Sequence, residues 1–126
     1  MTKSDKRKAL IFGAGRGGYF AGRTLRKRFE IVGFLDNSAT LQGSKLLGLP
    51  ILSPDELGTV EFDLIAIASM YRDDIYYQLV DLGIDEDRIE IVDPDLLDGR
   101  YALDPLKVLI LAIGLGLVAF GISVFA

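Results

Sequence analysis

Residues 9–29, ALIFGAGRGGYFAGRTLRKRF, pass from an apolar run through a glycine turn into a basic segment with helical periodicity. The run KALIF reads as a buried strand, and RGGYFAGRTLRKRF reads as a helix that places Phe20, Leu25 and Phe29 inward. Between them Gly13, Gly15 and Gly18 make G-x-G-x-x-G, and Asp36 follows 18 residues after Gly18, at the end of the next apolar run. Strand, glycine turn, helix and a later acidic residue form the fingerprint of a dinucleotide site. Gly13 permits the tight turn, Gly15 lets the backbone approach a pyrophosphate, and Gly18 allows close helix-to-strand packing. The helix start offers free N–H groups and a positive dipole end to phosphate. Arg16 and Gly17 lie in the same turn, and Arg16 can add a charge-assisted contact. Asp36 would accept hydrogen bonds from a ribose diol and repel a 2'-phosphate, which favours NAD over NADP.

Working outward, the same alternation continues. EIVGFLD is a second strand, NSATLQGSK a loop, LPIL a short third strand, and SPDEL a helical turn with Ser53 as N-cap and Pro54 at the first helical position. FDLIAIAS is a continuous apolar run suited to a parallel sheet covered on both faces, YRDDIYYQLVDLG an amphipathic helix closed by Gly83, and RIEIVD a fifth strand. The expected fold is α/β, a doubly wound, Rossmann-like parallel sheet of about five strands. Ser69, Met70, Tyr71 and Arg72 should emerge at the carboxyl edge of the fourth strand, where Ser69 either caps the next helix or touches a ligand.

The 126 residues divide into a disordered basic tail at 1–7, a nucleotide-binding domain at 8–95, a linker at 96–107 and an uncharged segment at 108–126. As a helix those 19 residues would be about 28 Å long, close to the roughly 30 Å hydrocarbon core of a bilayer. The expectation is a single C-terminal transmembrane helix that anchors a cytoplasmic domain to the membrane. Ala112, Gly116, Ala119 and Ser123 would share one stripe of that helix, a pattern suited to close packing and to a homo-oligomer.

Composition narrows the chemistry. The chain has no cysteine and no histidine, which removes the thiolate nucleophile, the commonest general base and the commonest metal ligands. None of Tyr19, Tyr71, Tyr76, Tyr77 or Tyr101 has a lysine four residues on, so the Y-x-x-x-K pair of short-chain dehydrogenases is missing. No second wall holds a substrate against a cofactor, and the residues argue for binding rather than catalysis by one chain. Charge is uneven: residues 1–28 carry nine Lys or Arg against Asp5 alone, while the remainder is strongly acidic. A basic N-terminal third suits a solvated helix face, a phosphate ligand or anionic lipid. Nucleic acid is not expected, because the rest of the chain is acidic.

The segments ALIFGAGRGGYFAGRTL, EIVGFLDN, GLPILSPDEL, FDLIAIAS and LGIDEDRIEIVD together resemble the nucleotide-binding Rossmann domain of bacterial surface-polysaccharide biosynthesis proteins. The similarity spans residues 8–93. It is to the N-terminal domain of bacillosamine-type sugar acetyltransferases and to the domain preceding the catalytic part of membrane-bound nucleotide-sugar dehydratases. The resemblance implies binding of a nucleotide sugar or a dinucleotide such as NAD, with Gly13, Gly15, Gly18, Asp36 and Asn37 at matching positions. It also implies polysaccharide-biosynthesis enzymes as partners. The family's left-handed β-helix and dehydratase domain are both missing here, and a hydrophobic segment stands in their place. The expected role is a membrane-anchored sensor or accessory subunit, against two alternatives: an assembly protein built through its tail, or an enzyme subunit completed by a partner. Redox-sensing and potassium-transport regulatory domains share the fold, but the G-F-L-D-N and G-L-P segments fit them less well.

Overall fold

The structure, a computed structural model, describes residues 6–93. The basic tail up to residue 5, the linker at 96–107 and the segment 108–126 lie outside the described residues. Among the described residues no helix is long and apolar enough to cross a membrane.

Six strands form one sheet in the order β3-β4-β2-β1-β5-β6. They are β1 (Lys8–Phe12), β2 (Glu30–Leu35), β3 (Lys45–Leu46), β4 (Leu49–Leu52), β5 (Leu64–Ile67) and β6 (Ile89–Ile91), with helices α1 (Arg16–Leu25) and α2 (Arg72–Asp81). Strands β4, β2, β1, β5 and β6 run parallel, as expected. The sheet is mixed rather than purely parallel, because β3 pairs antiparallel with β4 at the edge. The loop expected before Leu49 thus ends in a hairpin. Its two-residue turn, Leu47 and Gly48, has positive φ at both positions, 53° and 77°. Such primed turns match the twist of the flanking strands and are usually marked by Asn-Gly or Asp-Gly.

The strand residues are apolar on both faces because both faces are covered. Ala9, Ile11, Phe34, Ile51, Leu64 and Ala66 pack on one side with Ala21 of α1, and Leu25 and Phe29 close over them. Leu10, Phe12, Leu35, Ile65 and Ile67 pack on the other with Ile75 and Leu79 of α2 and with Leu57. Leu57 belongs to a 3-10 helix, Pro54–Thr59, which stands where a longer crossover helix would otherwise connect β4 to β5. Its start is fixed by a capping box: the Ser53 hydroxyl accepts the Asp55 N–H, and the Glu56 carboxylate accepts the Ser53 N–H.

α1 meets the sheet through small residues. Its buried positions are Gly18, Ala21 and Gly22, whereas Phe20, expected inward, is only half-buried and lies edge-on to Tyr19. A Cβ on Gly18 would fall on the carbonyl oxygen of Gly13, and one on Gly22 would come within 2.9 Å of a Leu47 methyl and 3.1 Å of the Phe34 ring. The helix sits too close to the sheet for a large side chain between them.

Two exposed contacts bind protons more tightly in the fold. The Lys8 ammonium, 2.7 Å from the Glu61 carboxylate, has its pKa raised, chiefly by that hydrogen bond and then by the Glu61 charge. The Tyr76 phenol donates to Glu86, and its pKa is raised by that bond first and by burial second. Both groups titrate normally at 10.5 and 10.0. A raised folded-state pKa contributes stability that is complete below the unfolded value and is lost as pH climbs through the folded one. Urea midpoints should therefore hold up to about pH 9.5 and fall above it, and Glu86→Gln should flatten part of that fall. In the same assay at neutral pH, Gly18→Ala should cost the upper end of about 1–3 kcal/mol or more, Gly22→Ala less, and Gly15→Ala little.

Candidate functional site

The carboxyl ends of β1, β2 and β5 define one edge of the sheet. β1 lies between β2 and β5, so the chain leaves it at the point where the strand order reverses, the usual place for a ligand in an open α/β sheet. The Gly13 N–H donates to the Leu35 carbonyl at 2.7 Å, and the Ala68 N–H donates to the Phe12 carbonyl at 2.9 Å. These bonds carry the ladder one residue past the strands and hold the turn in place.

The three glycines separate into two kinds. Gly13 has φ +122°, a conformation other residues rarely adopt, and a Cβ there would strike the Ala68 carbonyl. Gly18 is required by the contact with Gly13 described above. Gly15 has an ordinary φ of −91° and is exposed, and a Cβ on it would meet nothing within 4 Å. Packing explains Gly13 and Gly18 and does not explain Gly15. Gly15 is also the N-cap of α1, with no capping side chain and no acidic residue in the first turn that follows. The first amides of a helix have no carbonyl within it to bond, and their dipole end attracts anions. Arg16 and Gly17 begin this first turn, and the Arg16 guanidinium lies 5.7 Å from the Phe20 ring centroid.

Asp36 stands beside the turn and already carries structural bonds. One carboxylate oxygen accepts the Ala14 N–H at 2.9 Å and the other accepts the Ser38 N–H at 2.8 Å. It therefore ties the glycine turn to the end of β2, and each oxygen retains a lone pair for a second donor such as a ribose hydroxyl. Its neighbour Asn37 exchanges two 2.9 Å amide hydrogen bonds with Gln78 of α2. The sequence offers no signal for Gln78, which lies 41 residues away on a helix read only for its amphipathicity. The Ser69 hydroxyl accepts the Tyr71 N–H at 3.1 Å and so shapes the turn into α2. Met70 and Tyr71 stand out into solvent, 88% and 74% exposed. A groove of about 440 Å³ lies between the 3-10 helix and α2, and another of about 610 Å³ runs from the 3-10 helix to Leu82, Ile84 and Arg88; neither includes a residue of the glycine turn. The turn itself is an open ledge. Among the described residues no three acidic side chains are placed to hold a metal ion.

Sheet order, turn geometry and helix placement define a Rossmann-type α/β domain. Residues 5–90 match the family described as C2185-like, N-terminal, and the chain belongs to that family. No curated protein matches it. Among solved structures it is similar to UDP-D-quinovosamine 4-dehydrogenase from Vibrio fischeri, with a TM-score of 0.56 and 21% identity over 68% of this chain and 75% of that one. It is also similar to RSP, a Rex-family repressor, with a TM-score of 0.54 and 19% identity over 82% of this chain. The match to RSP in complex with beta-NAD+ and operator DNA has a TM-score of 0.53 and 17% identity over 86% of this chain. The chain spans about 61–62% of those repressor chains. At these identities the likeness is one of fold.

Replacing Asp36 by asparagine turns one of its acceptor oxygens into a donor that faces a backbone N–H. Without any ligand, Asp36→Asn should lower stability by about 1–3 kcal/mol, read by thermal unfolding. A residue present only for a ligand would leave that value unchanged.

Proposed function

We infer that the domain is a binding module for a dinucleotide, with NAD as the ligand that its residues suit best. The observation that carries this reading is Gly15, a glycine that the fold does not require, at an uncapped helix start open to solvent. A pyrophosphate over Gly15 would receive the first amides of α1, Arg16 would lie within reach of it, and Asp36 would accept from the adjacent ribose. The Rex-family structures with beta-NAD+ and with beta-NADH support this choice by analogy of fold. A nucleotide sugar is the second reading, favoured by the G-F-L-D-N and G-L-P segments and by the fold it shares with the UDP-sugar dehydrogenase.

On this reading the chain binds and does not catalyse, since it carries no histidine, no cysteine and no Tyr-x-x-x-Lys pair. The uncharged run 108–126 anchors it in the membrane as a single C-terminal pass, with the domain in the cytoplasm where nucleotides are found. The small-residue stripe in that run gathers copies into an oligomer. Its role is that of a sensor or accessory subunit beside the enzymes of envelope polysaccharide synthesis.

Thermal unfolding of the full chain against NAD+, NADH, NADP+ and UDP-N-acetylglucosamine tests the reading. A ligand at 100 times its dissociation constant adds about 2.7 kcal/mol, a shift on the order of 10 °C for a domain of this size. NAD+ or NADH should give that shift and NADP+ should not. Gly15→Val should abolish it while leaving the unliganded midpoint nearly unchanged. A shift that survives Gly15→Val would remove the glycine turn from the site.

A further inference from the structure

We propose that the C-terminal end of α1 is a docking surface for anionic lipid headgroups, which turns the glycine ledge away from the bilayer. The inference rests on the reading of residues 108–126 as a membrane anchor. Arg23, Arg26, Lys27 and Arg28 are all exposed, and none of them forms an ion pair among the described residues. Their contacts are with rings and backbone: Arg23 donates to the Tyr19 hydroxyl at 3.2 Å, and Arg28 lies 5.9 Å from the Phe29 ring centroid. Lys6 joins the same end of the domain, its ammonium donating to the Arg26 carbonyl at 3.0 Å. Glu30, exposed at the start of β2, is the acidic residue nearest the cluster in sequence, whereas Glu61 and Asp63 are engaged by Lys8.

This cluster does not serve the candidate ligand. The ten residues of α1 set it about 15 Å from the glycine turn, at the opposite edge of the sheet. A helix dipole favours one or two cations in the last turn, but the charge here continues past the helix through Lys27 and Arg28. Uncompensated basic residues beside a membrane segment partition toward anionic lipid, each by about fivefold at ordinary salt. Fourteen residues separate Asp93 from Val108. At up to about 3.3–3.6 Å each they exceed the depth of a five-residue strand, about 17 Å, so the chain can bring this edge to the bilayer.

The chain contains no cysteine, so Thr24→Cys gives a single labelling site among these residues. The labelled full chain is placed in vesicles of phosphatidylcholine, alone or mixed with phosphatidylglycerol, that carry a headgroup-attached quencher. Quenching at position 24 should appear with phosphatidylglycerol, and it should be lost at 1 M salt, where the screening length falls to about 3 Å. It should also be lost in Arg26→Glu/Lys27→Glu/Arg28→Glu, a variant whose unliganded unfolding midpoint checks that it is folded. Equal quenching in both lipids, or none in either, would overturn the proposal. Salt-sensitive retention of RNA without any lipid effect would overturn it in favour of nucleic acid. Flotation with pure phosphatidylcholine at 1 M salt reports the anchor separately, so failure of the anchor and failure of the surface give different results.

Discussion

The closeness of α1 to the end of β1 governs the rest of the domain. Gly18 rests against the Gly13 carbonyl, and Gly22 lies under Leu47 and Phe34, with no room for a Cβ at the first and little at the second. Because the helix start is pressed onto the turn, its first amides open directly over the sheet edge. The same closeness holds Gly13 against Ala68, so β5 is part of the turn as much as β1 is. Hydrogen bonds from Gly13 to Leu35 and from Ala14 to Asp36 bring in β2. Three strands and one helix are thus joined at a few backbone atoms.

That junction combines two demands on the sequence. Gly13 and Gly18 answer to packing, and any side chain at either position disturbs the fold. Gly15 meets no packing contact among the described residues, and its place is the start of α1. Asp36 braces two backbone amides, one on each carboxylate oxygen, and each oxygen still has a lone pair. A site built this way is preorganised, because the group that would meet a ribose is already held by the turn that would meet the phosphates.

Most of the sheet was legible because its signals are long and redundant. KALIF and LPIL coincide with β1 and β4, and FDLIAIAS contains β5, whose four residues are all buried. Ser53 and Pro54 mark the helical start in the sequence, and the structure adds Glu56 to complete the capping box. The β3 strand escaped notice for a physical reason. It has two residues, and its turn places Leu47 in the left-handed region where asparagine or glycine would have given the pattern away. Phe20 misled because a helix that packs through glycine and alanine leaves its large residues at the rim. At the site, the glycines and Asp36 could be read from spacing, but the amide pair between Asn37 and Gln78 could not, since it depends on how α2 is placed after a connection of irregular length.

The position of β5 also bears on when the site comes into being. Lys8 bonds to Asp63 across 55 residues, and the Ala68 carbonyl completes the glycine turn. Contacts so distant along the chain are formed late, because loop-closure entropy must be offset before they stabilise anything. The glycine turn precedes Ala68 by more than fifty residues, yet it has no finished shape until the polypeptide past Ala68 is present. The turn therefore takes its final shape only together with β5.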